Sequence, residues 1–234
     1  MARPHRPLAA GLIYHVTARG NTKAPLFLSV ADYEVFLSGL AVAGRLDALL
    51  CHAYCLMPNH YHLLVETPRG NLDDAMQRLN GTYAMRFNRH HERTGHVFQG
   101  RYGSKLITDD SYALTVVHYI ATNPVQAGLC TSPEEWPWSS HAATAGLAPP
   151  QPFLTSRVVG WFGSREEYRR FIAAGPADPS LDDRPPLAEL VPTRDPQLIA
   201  VAHRRHGYRL AEIADHLGIH LSSVWRDVRR GESA

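Results

Sequence analysis

The sequence predicts an α+β fold: a ferredoxin-like antiparallel sheet with helices, followed by a carboxy-terminal segment of helix-turn-helix type. Three observations carry that prediction. Strand-like and helix-like patterns alternate in the order βαββαβα up to about Gly146, with short connections. Proline then crowds the chain at 149–152 and again from 176 to 186, which reads as linker because proline removes amide donors and biases its neighbours to extended geometry. Two amphipathic helical patterns flank Gly218 near the end. On this reading residues 1–147 form one domain, 148–190 a proline-rich linker with a short helical segment, and 191–234 a helical domain.

Each element follows from its residues. Gly11 to Arg19 reads as a strand that ends at Gly20-Asn21. Ser29 caps a helix to about Arg45, with Asp32 at its positive end and Tyr33, Phe36, Leu37 and Leu40 on one buried face. Leu49 to Met57 is a second strand, Pro58-Asn59 a turn, and His60 to Thr67 a third strand folded back as a hairpin. Asn71 caps a helix to about His91, Ser104 to Thr108 is a short fourth strand, and 109–111 start a helix that Pro124 should stop. In the carboxy-terminal segment Leu210, Ile213, Ala214 and Leu217 form one apolar face; Ile219, Val224 and Val228 form the next, on a helix capped by Leu221 and Ser222.

Composition narrows the class. At 234 residues, 44% hydrophobic and 20% charged, the chain has material for a core and is not wholly disordered. No stretch approaches the ~18 uncharged apolar residues of a spanning helix, and the basic start, 1–7, makes a poor signal peptide. Cys51, Cys55 and Cys130 cannot all pair and show no zinc-type spacing, so a reduced cytoplasmic setting without membrane contact is expected. Formal charge is only +2, so a polyanion would have to meet a local patch. All basic residues but Lys23 and Lys105 are arginine, whose planar fork matches phosphate oxygens, though a GC-rich genome produces the same bias.

His60-Tyr61-His62 opens the third strand. Alternation points both histidines to one face, about 7 Å apart by backbone rise, and Tyr61 to the other. The pair reads either as two metal ligands or as two polar residues at a hairpin mouth; its place on a buried strand favours ligands, because unpaired polar groups there are costly. On the last helix Tyr119 and Asn123, four apart, share one face. Tyr119 reads as a nucleophile or as a core aromatic beside Val116 and Ile120, with Tyr14, Tyr61, Tyr83, Tyr102 and Tyr112 as rivals. Arg86, Arg89, Arg93, Arg101 and Lys105 cluster in sequence around Phe87, Phe98 and Tyr102, a mix suited to phosphate neutralisation and base stacking, or to a solvated helix edge. Ser222, Ser223, Arg226, Arg229 and Arg230 fall on the last helix, where a DNA-reading helix would carry its contacts, with 203–206 upstream able to touch phosphates.

Four separated motifs occur in order: Leu56-Met57-Pro58-Asn59-His60-Tyr61-His62-Leu63-Leu64-Val65, Gly95-His96-Val97-Phe98-Gln99-Gly100-Arg101-Tyr102, Tyr119-Ile120-Ala121-Thr122-Asn123-Pro124-Val125, and Trp136-Pro137-Trp138-Ser139-Ser140. Over roughly 8–146 the chain resembles the REP-associated tyrosine transposases of the HUH single-tyrosine superfamily. The resemblance implies a metal-dependent single-stranded DNA endonuclease and strand transferase acting on palindromic hairpins. It implies Tyr119 as nucleophile, forming a 5′-phosphotyrosine, and His60, His62 and Asn123 as ligands of Mg²⁺ or Mn²⁺. More distant relatives carry glutamine in place of Asn123. Single-stranded hairpin DNA is the implied partner, with a monomer rather than a dimer as the acting form; the carboxy-terminal segment, which compact family members lack, resembles a helix-turn-helix and is expected to meet duplex DNA. A non-catalytic DNA-binding regulator and a replication-initiator or relaxase-like HUH nuclease are the alternatives.

Overall fold

A computed structural model describes residues 9–174, 186–204, 208 and 210–232. Four strands, β1 (Leu12–Arg19), β2 (Leu50–Met57), β3 (His60–Thr67) and β4 (Gly103–Leu106), form one antiparallel sheet in the order β2-β3-β1-β4. Helices α1 (Val30–Asp47) and α2 (Leu72–His90) complete the ferredoxin-like βαββαβ unit. The chain divides into two compact units, residues 1–107 with 119–169, and residues 108–118 with 170–234. Among the described residues no helix is long and apolar enough to cross a membrane.

Strand alternation sorts the sheet into two faces. Tyr14 and Val16 of β1 and Tyr61, Leu63 and Val65 of β3 are buried in one core with Phe36 and Leu40 of α1 and Met76, Leu79 and Tyr83 of α2. Ser29 and Asp32 form the reciprocal capping box that starts α1, and His91 lies 2.9 Å from Asp32 Oδ1. Phe36 packs on Tyr61 with ring centroids 4.8 Å apart. The intervening residues His15, Thr17, His60 and His62 turn to the other face.

The exposed edge of β2 is covered by the Trp-Pro-Trp-Ser-Ser segment. Leu56 N–H donates to the Trp138 carbonyl at 2.9 Å, Ser140 N–H to the Tyr54 carbonyl at 2.9 Å, and the Trp136 indole to the Leu56 carbonyl at 3.0 Å. Trp138 stacks on Tyr33 at 4.4 Å. An edge strand left open would template pairing with other chains, so this motif has a structural task.

Three local expectations are corrected. Helix α3 (Asp110–Gln126) runs through Pro124. Proline forfeits one helical hydrogen bond, and here it lies in the last turn, which a Schellman motif closes: Gly128 N–H donates to the Val125 carbonyl and Leu129 N–H to the Pro124 carbonyl, each at 2.9 Å, with Gly128 at φ 68°. Asn71 precedes α2 without a side-chain cap; its amide donates to the Asp47 carbonyl at 3.0 Å, tying the starts and ends of the two helices. Leu221 and Ser222 lie inside the last helix rather than ahead of it.

Short helices α4 (His141–Thr144), α5 (Arg157–Phe162), α6 (Arg165–Ala174) and α7 (Leu187–Leu190) follow; of the second proline stretch, residues 175–185 lie outside the described residues. Helices α8 (Pro196–Arg204), α9 (Leu210–Leu217) and α10 (Leu221–Glu232) share a core of Ile199, Ala202, Ile213, Val224 and Val228, and Gly218 at φ 62° starts the three-residue turn between α9 and α10.

His141 is fully enclosed, 2.9 Å from the Tyr168 hydroxyl, and burial pushes its pKa down to about 4, against a weaker upward pull from Glu134. The unfolded chain takes up the proton near the ordinary value of about 6.5, so this contribution is fully present above that pH and is lost as pH falls toward 4. Urea denaturation should therefore show a loss of roughly 2 kcal/mol from His141 between pH 7 and pH 5, and His141→Gln should flatten the pH dependence by that amount.

Candidate active site

The site is built on the face of the sheet turned away from α1 and α2. In the β1–β3 ladder Thr17 stands opposite His62 and Arg19 opposite His60; directly opposed residues share a face. His60 is half-buried and His62 only 6% exposed. The two rings are edge to face, centroids 5.0 Å apart. His60 Nδ1 lies 2.7 Å from Asn59 Oδ1, and His62 Nδ1 lies 3.0 Å from Nε2 of a third imidazole, His15, stacked on it at 5.2 Å.

Burial depresses all three histidines. The pKa of His62 falls to about 3, first by desolvation and then through the neighbouring charges of His15, His60 and Arg19. That of His15 falls to about 4 by burial and by Lys105, which stands opposite it on β4. His60 is lowered by burial and Arg19, with Asn123 pulling the other way. Neutral imidazoles keep a lone pair for a cation at neutral pH.

Tyr119, on α3, stands edge-on over His62 with centroids 5.0 Å apart and planes at 87°, and its ring is 37% exposed. One turn later Asn123 is buried beside His60. The rival tyrosines are spent on structure: Tyr61 donates to Asn80 Oδ1 at 2.8 Å, Tyr83 to the Leu26 carbonyl and Tyr102 to Asp73. Tyr14 is buried in the core, and Tyr112 lies two turns before Tyr119 on α3.

Two buried acceptors here have no hydrogen-bond partner among the described residues: His62 Nε2 and Asn123 Oδ1. Orphaned polar atoms in a protein interior are costly unless a ligand completes them. Their chemistry, imidazole nitrogen and amide oxygen, together with His60, fits a divalent cation. Among the described residues no group of three or more His, Cys, Asp or Glu side chains is placed to hold a metal ion, so the candidate set is two histidines and an amide.

His60, His62 and Tyr119 border a cleft of about 510 Å³ walled by Thr17, Arg19, Gln99 and Arg101. The Gly95–Tyr102 motif forms that wall by pairing with the end of β1: Gln99 N–H donates to the Arg19 carbonyl and Asn21 N–H to the Val97 carbonyl, both at 2.9 Å. Gly20 makes the turn possible, since a Cβ there would overlap the Ala24 carbonyl oxygen.

The expected aromatic platform is corrected. Phe87 and Tyr102 are buried and Phe98 packs against the same core, because each fills space between α2 and the sheet. The cations stay outside: Arg86 and Arg89 are exposed on α2, and Arg93 lies 5.7 Å over the Phe87 ring. Arg101 reaches the cleft, exposed and 3.5 Å from Asp73; Lys105 is exposed on β4. On α10 Arg226 and Arg230 are exposed, and Arg226 donates to Ser223 Oγ at 3.1 Å. The side chains of Ser222 and Arg229, and residues 205 and 206, lie outside what the structure describes. His15, Arg19 and Gln99 join the site as well; strand alternation through Tyr14-His15-Val16-Thr17-Ala18-Arg19 is the signal that places the first two on the histidine face, and Gln99 carries no such local signal.

Comparison with known proteins bears on the fold and on the segment that carries the site. A Haemophilus influenzae protein named as a REP-associated tyrosine transposase is 29% identical over 99 residues, 38% of this chain and 56% of that protein, so the match spans little more than half of its length. The solved structure of a REP-associated tyrosine transposase bound to a REP hairpin matches with a TM-score of 0.55 at 19% identity, covering 64% of this chain and 89% of that one; at this identity the likeness speaks for the fold. The family model for IS200-like transposases matches residues 9–123, the segment that holds the whole sheet, both histidines, Tyr119 and Asn123. Over that segment, just under half of the chain, this protein is similar to the IS200-like transposases.

Proposed function

We propose that the protein cleaves and rejoins single-stranded hairpin DNA, with Tyr119 as nucleophile and a divalent ion, Mg²⁺ or Mn²⁺, held by His60, His62 and Asn123. One observation carries the reading: a half-exposed phenol stands over buried His62, whose Nε2, like the oxygen of Asn123, lacks a partner. Bound there, the ion supplies Lewis-acid polarisation of the scissile phosphate.

The chain's own groups do the rest. Tyr119 Oη attacks phosphorus, forming the new P–O bond as the bond to the 3′ oxygen breaks. The phenol gives up its proton and the departing oxygen takes one, leaving a free 3′-OH and a 5′-phosphotyrosine. One phosphodiester replaces another, so attack by a second 3′-OH reverses the step without an energy source. Arg19 and Arg101 at the cleft walls neutralise the phosphate charge. Hairpin DNA as substrate is supported by the solved relative bound to a REP hairpin. Because Tyr119 and both histidines come from one chain and one compact unit, the reading takes a monomer as competent. Helices α9 and α10, joined by a three-residue turn, are taken as a helix-turn-helix that offers Ser222, Ser223, Arg226, Arg229 and Arg230 to duplex DNA. A DNA substrate and three free cysteines suit a cytoplasmic protein.

Labelled hairpin DNA incubated with the protein and Mn²⁺ should yield a covalent, protease-sensitive adduct that Tyr119→Phe abolishes without loss of binding. Hairpin binding with no adduct in the wild type would replace the enzyme by a DNA-binding regulator. His60→Ala or His62→Ala should slow adduct formation by at least about a hundredfold, and Asn123→Ala by about tenfold. Arg226→Ala with Arg230→Ala should weaken duplex binding and lower its salt slope by roughly one per residue, leaving the hairpin adduct unchanged.

A further inference from the structure

His15 has no part in the scheme above, yet it is the side chain most closely tied to the site. Its Nε2 lies 3.0 Å from His62 Nδ1, the rings stack with centroids 5.2 Å apart at 30°, and Tyr119 abuts it at 6.1 Å. The contact is set by the backbone. His15 stands opposite Leu64 and Thr17 opposite His62, so His15 is the diagonal neighbour of His62 on one face of the central strand pair.

We infer that His15 is a positioning residue: it accepts a hydrogen bond from His62 Nδ1–H, locks His62 in the Nδ1–H tautomer and so presents the bare Nε2 to the cation. The inference rests on the proposed metal site and goes beyond it. A hydrogen bond between two neutral imidazoles needs one proton on one partner. If His15 were the donor, the proton of His62 would sit on Nε2. That buried atom has no partner, so the alternative leaves a donor unsatisfied and blocks the lone pair that a metal needs. His60 follows the same rule: its Nδ1 faces the Asn59 oxygen at 2.7 Å, which accepts that proton and leaves Nε2 as the lone-pair nitrogen, beside Asn123. Both imidazoles thus carry their proton away from the proposed cation, one toward an amide and one toward His15.

The tautomer is directly readable. Long-range ¹H–¹⁵N correlation spectra of histidine-labelled, metal-free protein at pH 7.5 should show His62 protonated on Nδ1, although free histidine prefers Nε2. A His62 protonated on Nε2 overturns the inference. In parallel, Mn²⁺ binding should weaken about 10- to 100-fold in His15→Leu and recover in His15→Gln, whose amide oxygen can accept the same proton. Equal Mn²⁺ affinity in wild type and His15→Leu, with both folded by circular dichroism, also overturns it. The two proposals fail separately: an Nδ1–H tautomer in a wild type that forms no adduct counts against the Tyr119 chemistry, not against the role of His15.

Discussion

The pairing of β1 with β3 is the constraint on which the rest of the molecule depends. This ladder occupies the middle of the sheet, and its register decides which side chain enters which environment. A slip of one residue would move His60 and His62 into the apolar core and turn Tyr61, Leu63 and Val65 onto the open face. Packing forbids the slip. Tyr61 is wedged against Phe36 and anchored by Asn80, and Val16 and Tyr14 fill the same layer. The hydrophobic core on one side therefore sets the position of the imidazoles on the other to within a side chain's reach.

The two faces carry unequal burdens. The helix-covered face buries apolar surface. The opposite face tolerates three depressed histidines, a buried amide and acceptors without partners. Such departures from satisfied packing in an otherwise consistent fold are where function concentrates. The surrounding motifs support this face from outside it: the Trp-Pro-Trp-Ser-Ser segment closes the edge beyond β2, and the 95–102 segment raises a wall beside Arg19. Neither motif offers the nucleophile or a metal ligand; the 95–102 segment adds Arg101 to the cleft wall, and each shapes where the reacting groups stand.

Much of this was legible from local pattern. Alternation in β1 and β3, the Ser29–Asp32 cap and the apolar face of α1 each follow from short-range rules, and the structure repeats them to within a residue or two. The misreadings share a cause. Pro124 reads locally as a helix stop because its own lost hydrogen bond is a local fact, whereas the motif at Gly128 that closes the helix beyond it lies downstream. Phe87, Phe98 and Tyr102 read as a stacking platform because adjacency to arginine is visible in sequence and burial is not.

From its sequence alone the chain determines the order of elements, the face each strand residue takes and the candidate pair of histidines, since these depend on periods of 2 and 3.6 residues within single segments. The motif resemblance already points to Tyr119, which the fold sets against His62; tertiary structure alone decided that His15 leans on His62 and that Arg19 and Gln99 border the same cleft. Those meetings join residues 47 to more than 50 positions apart. They follow from strand order, crossover path and the volume of the core, quantities that no local window contains.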